Sequence, residues 1–179
     1  MKTTEIFMKE RTIIENLKNM LEVSSQKMND GKDVPPWMLR ENIELLQIYT
    51  DVSHKNREEL IVSHITGLGQ KLTKRESTED YDLLKKYERF LLYVIEAYDL
   101  GYNGAKTVFA RYSKDYISLI KKHMEFETEL FGRSEDHLKD LDAKLLKEFK
   151  RIRGVPRKMR ERAHIRIRTL EREYQKVAA

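Results

Sequence analysis

Two histidine–glutamate pairs with the same spacing are the residues of this sequence best suited to chemistry. His54 is followed four residues later by Glu58, and His123 is followed four residues later by Glu127. Four residues advance about 400° around an α-helix, so each pair lies one turn apart on one helix face. Imidazole nitrogens and carboxylate oxygens are ligands for iron, manganese and zinc. The two pairs therefore predict a metal site, provided that their helices bring them together.

The neighbours of both pairs predict that they face a helical core. His54 shares its helix face with isoleucines, and the second pair lies among aromatic and aliphatic residues. These neighbours are Ile43, Ile61, Ile65, Tyr116, Leu119, Ile120, Phe126 and Leu130. An unneutralised carboxylate in a core costs several kcal/mol, which a bound metal would offset. A single pair is more often a hydrogen bond near the surface, but two pairs in core phase favour the metal.

Two further carboxylates, Glu10 and Asp80, are predicted to lie at the same height in the fold. Residues on antiparallel neighbouring helices lie level when the turn between them is midway. Residue 32, halfway between Glu10 and His54, falls in a turn rich in Gly and Pro, and the midpoint of Asp80 and His123 falls at residues 101–104. The alternatives are a helix cap for Asp80 and a boundary carboxylate paired with a lysine for Glu10.

Helical periodicity is strong throughout the chain, and strand alternation is absent. Helices are predicted at about 4–28, 37–65, 77–100 and 105–131, with turns near 29–36, 66–76 and 101–104. Two shorter helices are predicted after Ser134 and over 157–175. The expected fold is all-α: an antiparallel up-down four-helix bundle over residues 1–131, followed by a C-terminal extension of two helices over 132–179.

Composition excludes several classes of site. The chain has no cysteine, which rules out disulfides, thiolate metal ligands, iron–sulfur clusters and cysteine nucleophiles. The longest purely apolar run, Phe90–Ile95, is far shorter than the roughly 20 residues of a membrane span. The N-terminal residues do not have the pattern of a signal peptide, so the expected compartment is the cytoplasm.

These residues resemble the hemerythrin-like (HHE cation-binding) domain family. Members of that family place a His on helix 1, H-x-x-x-E on helix 2, a His on helix 3 and a second H-x-x-x-E/D on helix 4. Segments 51–59 and 116–127 carry the similarity, which extends over roughly residues 4–131. Glu10 stands at the helix-1 His position, and Asp80 or Tyr81 stands at the helix-3 position.

The resemblance implies an iron site, expected as a pair of ions, with manganese and zinc as alternatives. Its implied ligand set is His54, Glu58, His123, Glu127, Glu10 and Asp80. The implied function is binding or reduction of dioxygen, peroxide or nitric oxide in sensing, storage or detoxification. Because four of the six ligands are carboxylates, turnover is favoured over reversible oxygen carriage.

A metal-free bundle that acts as an interaction module is the alternative function. From Lys147 to Lys176 the chain has 12 Lys and Arg against 4 Glu, a net charge of +8, whereas the whole chain has +5. This basic segment could contact nucleic-acid phosphates. Its only aromatic residue beyond Phe149 is Tyr174, which argues against base stacking, and a solvated amphipathic helix that covers the bundle is the simpler interpretation.

Overall fold

The structure is a computed structural model that describes residues 2–50, 52–66, 74–152 and 157–178. Six helices account for nearly all of these residues, and the described part of the chain contains no strand. The helices are α1 (Lys2–Asn29), α2 (Pro36–Tyr49), α3 (Val52–Thr66), α4 (Lys74–Asp99), α5 (Ala105–Phe149) and α6 (Arg157–Ala178). The prediction of an all-α chain is confirmed.

Two of the three predicted turns are confirmed. The first joins α1 to α2 and the second joins α4 to α5. Gly31, Gly101 and Gly104 have φ values of 77°, 77° and 83°, a left-handed conformation that glycine adopts without steric cost. The third predicted turn, at 66–76, coincides largely with residues 67–73, which lie outside the described residues.

The helix predicted over 37–65 is wrong in one respect, because it is interrupted at Thr50. There the backbone leaves the helical region, with φ −99° and ψ 30°. The Thr50 backbone N–H and hydroxyl both donate to the Leu46 carbonyl, at 2.8 and 2.9 Å. Such competition from a threonine hydroxyl bends helices, and the hydroxyl also contacts Glu88 of α4. The interruption separates α2 from the α3 segment that carries His54.

The prediction of a break after Phe131 and a new helix from Ser134 is also wrong. Helix α5 runs without interruption from Ala105 to Phe149, so α6 is the only separate helix after it in the described residues. Gly132 lies inside α5, where a glycine costs about 1 kcal/mol relative to alanine. Packing of Leu145 and Phe149 against α1 and α3 residues offsets such a cost.

Four of the helices contact one another in a cycle. Helix α1 packs against α2 and α5, and α4 packs against the same two helices, while α3 contacts α4 and α5. Contacts between α1 and α5 run in opposite chain order, and so do those between α4 and α5. The pairs are Thr3–Asp142, Arg11–Thr128, Ser25–Ala110, Tyr81–His123, Glu88–Tyr116 and Phe90–Tyr112.

Helix α6 packs on α2 and α1. Its buried side chains include Ala163, Ile167, Leu170 and Tyr174, whereas Met159 is 48% exposed. On its flank, the Arg166 guanidinium donates to both Glu41 carboxylate oxygens at 2.6 and 2.8 Å. None of the described helices is both long and apolar enough to cross a membrane.

The core divides into two apolar clusters. The larger lies along α1, α2, α4, α5 and α6, and the smaller joins Phe7 of α1 to α3 and the distal half of α5. On α3 the predicted site residue His54 precedes the residues of the smaller cluster, and on α5 His123 lies one residue before Met124, the last buried α5 residue of the larger cluster. A layer of polar side chains therefore separates the two apolar regions.

Candidate metal centre

All four residues of the two histidine–glutamate pairs are buried in this polar layer. The exposed fractions are 1% for His54, 0% for Glu58, 6% for His123 and 1% for Glu127. Helix α3 supplies the first pair and α5 supplies the second, and these helices pack against each other. The core orientation predicted from the neighbouring apolar residues is therefore confirmed for both pairs.

Each histidine contacts a glutamate of the other helix. The distance from His54 Nε2 to Glu127 Oε1 is 3.0 Å, and that from His123 Nε2 to Glu58 Oε2 is 3.2 Å. His123 Nε2 also lies 3.5 Å from the same Oε1 of Glu127. One potential ligand atom from each of His54, His123 and Glu127 lies within 4.8 Å of the others. Three of the four side chains thus converge on one point, with Glu58 beside it.

Glu10 is brought to the site, but on the opposite edge of the His54 ring. Its Oε2 lies 3.3 Å from His54 Nδ1, while its Oε1 accepts a hydrogen bond of 2.6 Å from Arg57. The contact with Nδ1 leaves Nε2 directed at Glu127. A carboxylate on the far nitrogen of an imidazole is the usual device that fixes the tautomer and orientation of a metal-binding histidine.

On α4, Tyr81 faces the site. Its ring packs edge-on against His123 with centroids 4.8 Å apart, and it lies 6.4 Å from the His54 ring. The side chain of Asp80, the predicted ligand next to it, lies outside the described residues. Tyr87, another aromatic residue of α4, has its ring contacts with Tyr112 and Tyr116.

Phe7 and Arg57 belong to the site but were not among the predicted residues. Phe7 is fully buried and stacks on the His54 imidazole, with centroids 4.6 Å apart and an interplanar angle of 20°. The sequence signal for Phe7 was its position three residues before Glu10, on the same face of α1. Arg57 is next to Glu58, and no sequence spacing distinguishes it from a solvated arginine.

The carboxylates shift the acid–base properties of both histidines. Burial lowers the pKa of His54, but its contacts with Glu10 and Glu127 outweigh this effect and raise the pKa to about 9. Burial likewise lowers the pKa of His123, whereas Glu127 and Glu58 raise it to about 10. Burial raises the pKa of Glu127, but the two histidines lower it to about 2. Two imidazolium groups and Arg57 thus face three glutamates.

The donor set fits a metal ion. Nitrogen and oxygen ligands about 2.1 Å from a shared ion are about 3.0–3.4 Å from one another in octahedral or tetrahedral sites. The two distances between α3 and α5, 3.0 and 3.2 Å, and the 3.5 Å distance within α5 are close to this range. His54, His123, Glu58 and Glu127 could therefore hold an ion once the two imidazoles have lost their protons.

A second buried carboxylate, Glu88 of α4, has partners of another kind. It is 0% exposed and accepts hydrogen bonds from Thr50 Oγ1 at 3.0 Å, Tyr116 Oη at 3.1 Å and Lys85 Nζ at 2.9 Å. Burial raises the pKa of Tyr116 well above its ordinary value, and the Glu88 charge raises it further. Tyr116 lies two helical turns before His123, so a second polar layer adjoins the site.

No family model matches the chain, and comparisons with curated proteins and with solved structures gave no match either.

Proposed function

We propose that this protein binds iron through His54, Glu58, His123 and Glu127 and uses it to bind or reduce a small molecule such as dioxygen, peroxide or nitric oxide. The observation that carries the proposal is that two imidazoles contact two carboxylates of α3 and α5 at 3.0–3.5 Å in a buried layer, where His54, His123 and Glu127 converge on one point. Iron, manganese and zinc all accept such donors. Zinc has no redox chemistry, and the resemblance to hemerythrin-like domains favours iron over manganese.

The arrangement that we propose for the helices is an antiparallel up-down four-helix bundle, formed by α1, α2 with α3, α4 and α5. The cycle of contacts among these helices and the opposite chain order of their contacting residues support it. Bundles of this kind hold metal sites with side chains that project inward from facing helices. The resemblance of the two motifs to hemerythrin-like domains supports the same arrangement.

The residues around the proposed ligands would orient them and exclude water. Glu10 accepts from His54 Nδ1 and is itself held by Arg57, so the Nε2 lone pair faces the shared point. Phe7 and Tyr81 pack against the two imidazoles. Bound iron would supply electrons and Lewis acidity in this environment. Because the ligands are 0–6% exposed, the chemistry is restricted to small molecules.

Two ions remain part of the proposal, with a carboxylate as the bridge between them. His54, Glu58, His123 and Glu127 would provide four donors for one ion. A second ion would need further donors from Glu10 and Asp80, and Glu10 would have to leave His54 Nδ1 and Arg57 to provide one. The iron content per chain, measured after loading, distinguishes the one-ion and two-ion forms.

The test is an anaerobic ferrous titration of the purified protein, followed by elemental analysis. We expect wild type to retain iron and to develop near-ultraviolet and visible bands on addition of oxygen, peroxide or nitric oxide. The His54→Ala/His123→Ala variant should do neither, whereas His164→Ala, at an exposed histidine of α6, should behave as wild type. Equal iron retention by the double variant, or a wild type that retains none, would contradict the proposal.

The alternative, an interaction module that binds nucleic acid, is favoured by one observation on α6. Its outer face exposes Lys158, Arg162, Arg168 and Arg172, while its inner face is packed on the other helices. Charge reversal at Arg162, Arg168 and Arg172 would then abolish binding that falls steeply with salt. Binding that persists after this reversal would exclude α6 as the contact surface.

A further inference from the structure

The outward face of α4 carries a stripe of exposed residues. Lys86, Arg89, Tyr93, Glu96 and Leu100 follow one another at alternating steps of three and four residues, so they lie on one side of the helix. Tyr93 and Leu100 are each 70% exposed. The opposite side of α4 faces the core, where Leu84, Glu88, Leu91 and Ile95 are buried. The stripe is therefore separate from the candidate metal centre.

This stripe borders an apolar cavity between α4 and the start of α5. The cavity has a volume of about 470 Å³, and its walls include Phe90, Ala97, Tyr102 and Val108. Tyr102 is 67% exposed. With Tyr93 and Leu100, it has the highest exposure among the large apolar side chains of the described residues. Such a concentration of exposed apolar surface marks an interaction site more often than a solvated surface.

The charges on the stripe are self-complementary. Arg89 and Glu96 lie on the same flank, four residues before and three residues after Tyr93. Consider a second copy related to the first by a two-fold axis near Tyr93 that is perpendicular to the helix. The two copies of α4 then run in opposite directions, and each residue stays on the same flank of the contact. Arg89 of one copy therefore lies opposite Glu96 of the other. Neither side chain has a salt bridge within the described part of the chain, so both are available for this contact.

The same axis also matches the apolar residues. On the other flank, Phe90 would meet Ala97 of the second copy, and the two Tyr93 side chains would meet at the axis. The aliphatic stem of Lys86 would cover Leu100 of the second copy, as long side chains often cover apolar surface. In a symmetric contact of this kind each pair of residues occurs twice, which is characteristic of two-fold homodimers.

We propose that the protein forms a homodimer through α4, in which two antiparallel copies of this helix pack about a two-fold axis near Tyr93. Each copy contributes the exposed stripe and the rim of the apolar cavity. The two Arg89–Glu96 pairs fix the register of the helices, and the aromatic residues supply the buried area. The metal centres lie behind the buried face of α4 in each copy, so dimer formation and metal binding are separate properties.

Sedimentation equilibrium and light scattering of the full chain, from micromolar to hundreds of micromolar concentrations, test this dimer. We expect a mass of twice the 21.4 kDa of one chain. Arg89→Glu and Glu96→Arg should each weaken dimerisation by about tenfold or more, because each places like charges opposite each other twice. Tyr93→Glu should weaken it further, since a central aromatic residue is lost from both copies.

The decisive variant is the double exchange Arg89→Glu/Glu96→Arg, which should restore dimerisation because the pairs reform with opposite polarity. Lys9→Glu, a charge reversal on an exposed residue of α1, should leave the dimer unchanged. All substituted side chains are exposed, and circular dichroism would show that the helices persist. A wild type that stays monomeric at every concentration would overturn the proposal, as would a dimer insensitive to Arg89→Glu and Tyr93→Glu.

Discussion

Two polar clusters in the described part of the interior are each built around a fully buried glutamate, and they differ in what surrounds that glutamate. Glu88 accepts hydrogen bonds from a threonine, a tyrosine and a lysine, all of which donate. Glu58 contacts His123 Nε2, and the same nitrogen lies near Glu127. Glu127 also contacts His54. The first cluster contains the donors that a carboxylate needs, whereas the second contains groups that can lose their protons.

This difference shows that burial alone does not identify a metal site. Hydroxyl and ammonium donors satisfy a carboxylate permanently, because they stay protonated at neutral pH. An imidazolium donates a hydrogen bond to the carboxylate only until a metal ion replaces its proton. The nitrogen lone pair then binds the ion. We therefore expect the Glu88 cluster to be structural and the His54–His123 cluster to exchange protons for metal. The predictions below test this contrast.

The largest expected difference is in metal affinity. Glu58→Gln/Glu127→Gln should weaken iron binding by about a thousandfold or more, because it removes both anionic ligands while nearly preserving side-chain volume. Glu88→Gln should leave the dissociation constant within about twofold of wild type. Titration of the metal-free proteins with ferrous iron measures both values. Similar losses in the two variants would erase the distinction between the clusters.

Alkaline pH should destabilise the metal-free protein. The pKa values of His54 and His123, about 9 and about 10, lie above the ordinary value of 6.5. The protonated histidines therefore stabilise the folded protein fully below pH 6.5. This contribution to the free energy of unfolding, on the order of several kcal/mol in total, is lost as the pH rises through 9 to 10. Urea unfolding between pH 6 and 10 measures this loss.

The metal-bound protein is the control for this measurement. Metal-bound imidazoles carry no ionisable proton on the ligating nitrogen, so the alkaline loss of stability should disappear. In the acid range, the ionised Glu127 also stabilises the folded protein, because its pKa is lowered from 4.5 to about 2. That contribution is present above pH 4.5 and is lost as the pH falls through 2. An unfolding free energy that does not change between pH 7 and 10 in the metal-free protein would contradict the ion-pair description.

Removal of the other glutamate should cost stability irrespective of metal. Glu88→Ala would leave the buried Tyr116 hydroxyl without its acceptor and Lys85 without its carboxylate partner, whereas Thr50 keeps the Leu46 carbonyl. We expect a loss of about 3 kcal/mol in the free energy of unfolding. The loss should be the same with and without iron. Denaturant unfolding in both states measures it, and a loss confined to the iron-bound state would place Glu88 in the metal centre.

The smallest expected effect concerns the orientation of His54. Glu10→Gln keeps a side chain of similar size but weakens the contact with Nδ1, so iron affinity should fall by about tenfold. The same substitution should leave the iron content at saturation unchanged. Competition with a chelator measures the affinity, and a reduced saturating content would instead make Glu10 a ligand.

The sequence predicted the four central residues because two independent signals agreed. The spacing of His54 and Glu58, repeated at His123 and Glu127, placed each pair on one face, and the apolar neighbours placed that face in the core. The turn positions then predicted that Glu10 and His54 lie level, and the structure brings them into contact. The face shared by each pair and the level of Glu10 with His54 both follow from helix geometry, which local sequence determines well.

Two features depended on contacts between distant segments and could not be predicted from local pattern. The helix break at Thr50 involves Glu88, which lies 38 residues further along the chain. The continuity of α5 through Gly132 depends on what Leu145 and Phe149 pack against. By contrast, Tyr81 was already an alternative to Asp80 at the helix-3 position, and its ring packs against His123.

The shared oxygen of Glu127 has a consequence for how the protein unfolds. It contacts histidines on α3 and α5, and the His54–Glu127 contact joins residues 73 positions apart. An ion held there would close a long loop of chain, a contact whose entropic cost is met only after the intervening helices have docked. The metal would then bind after the transition state for folding. It would slow unfolding and leave the folding rate nearly unchanged, because a contact that is absent from the transition state affects only the unfolding rate.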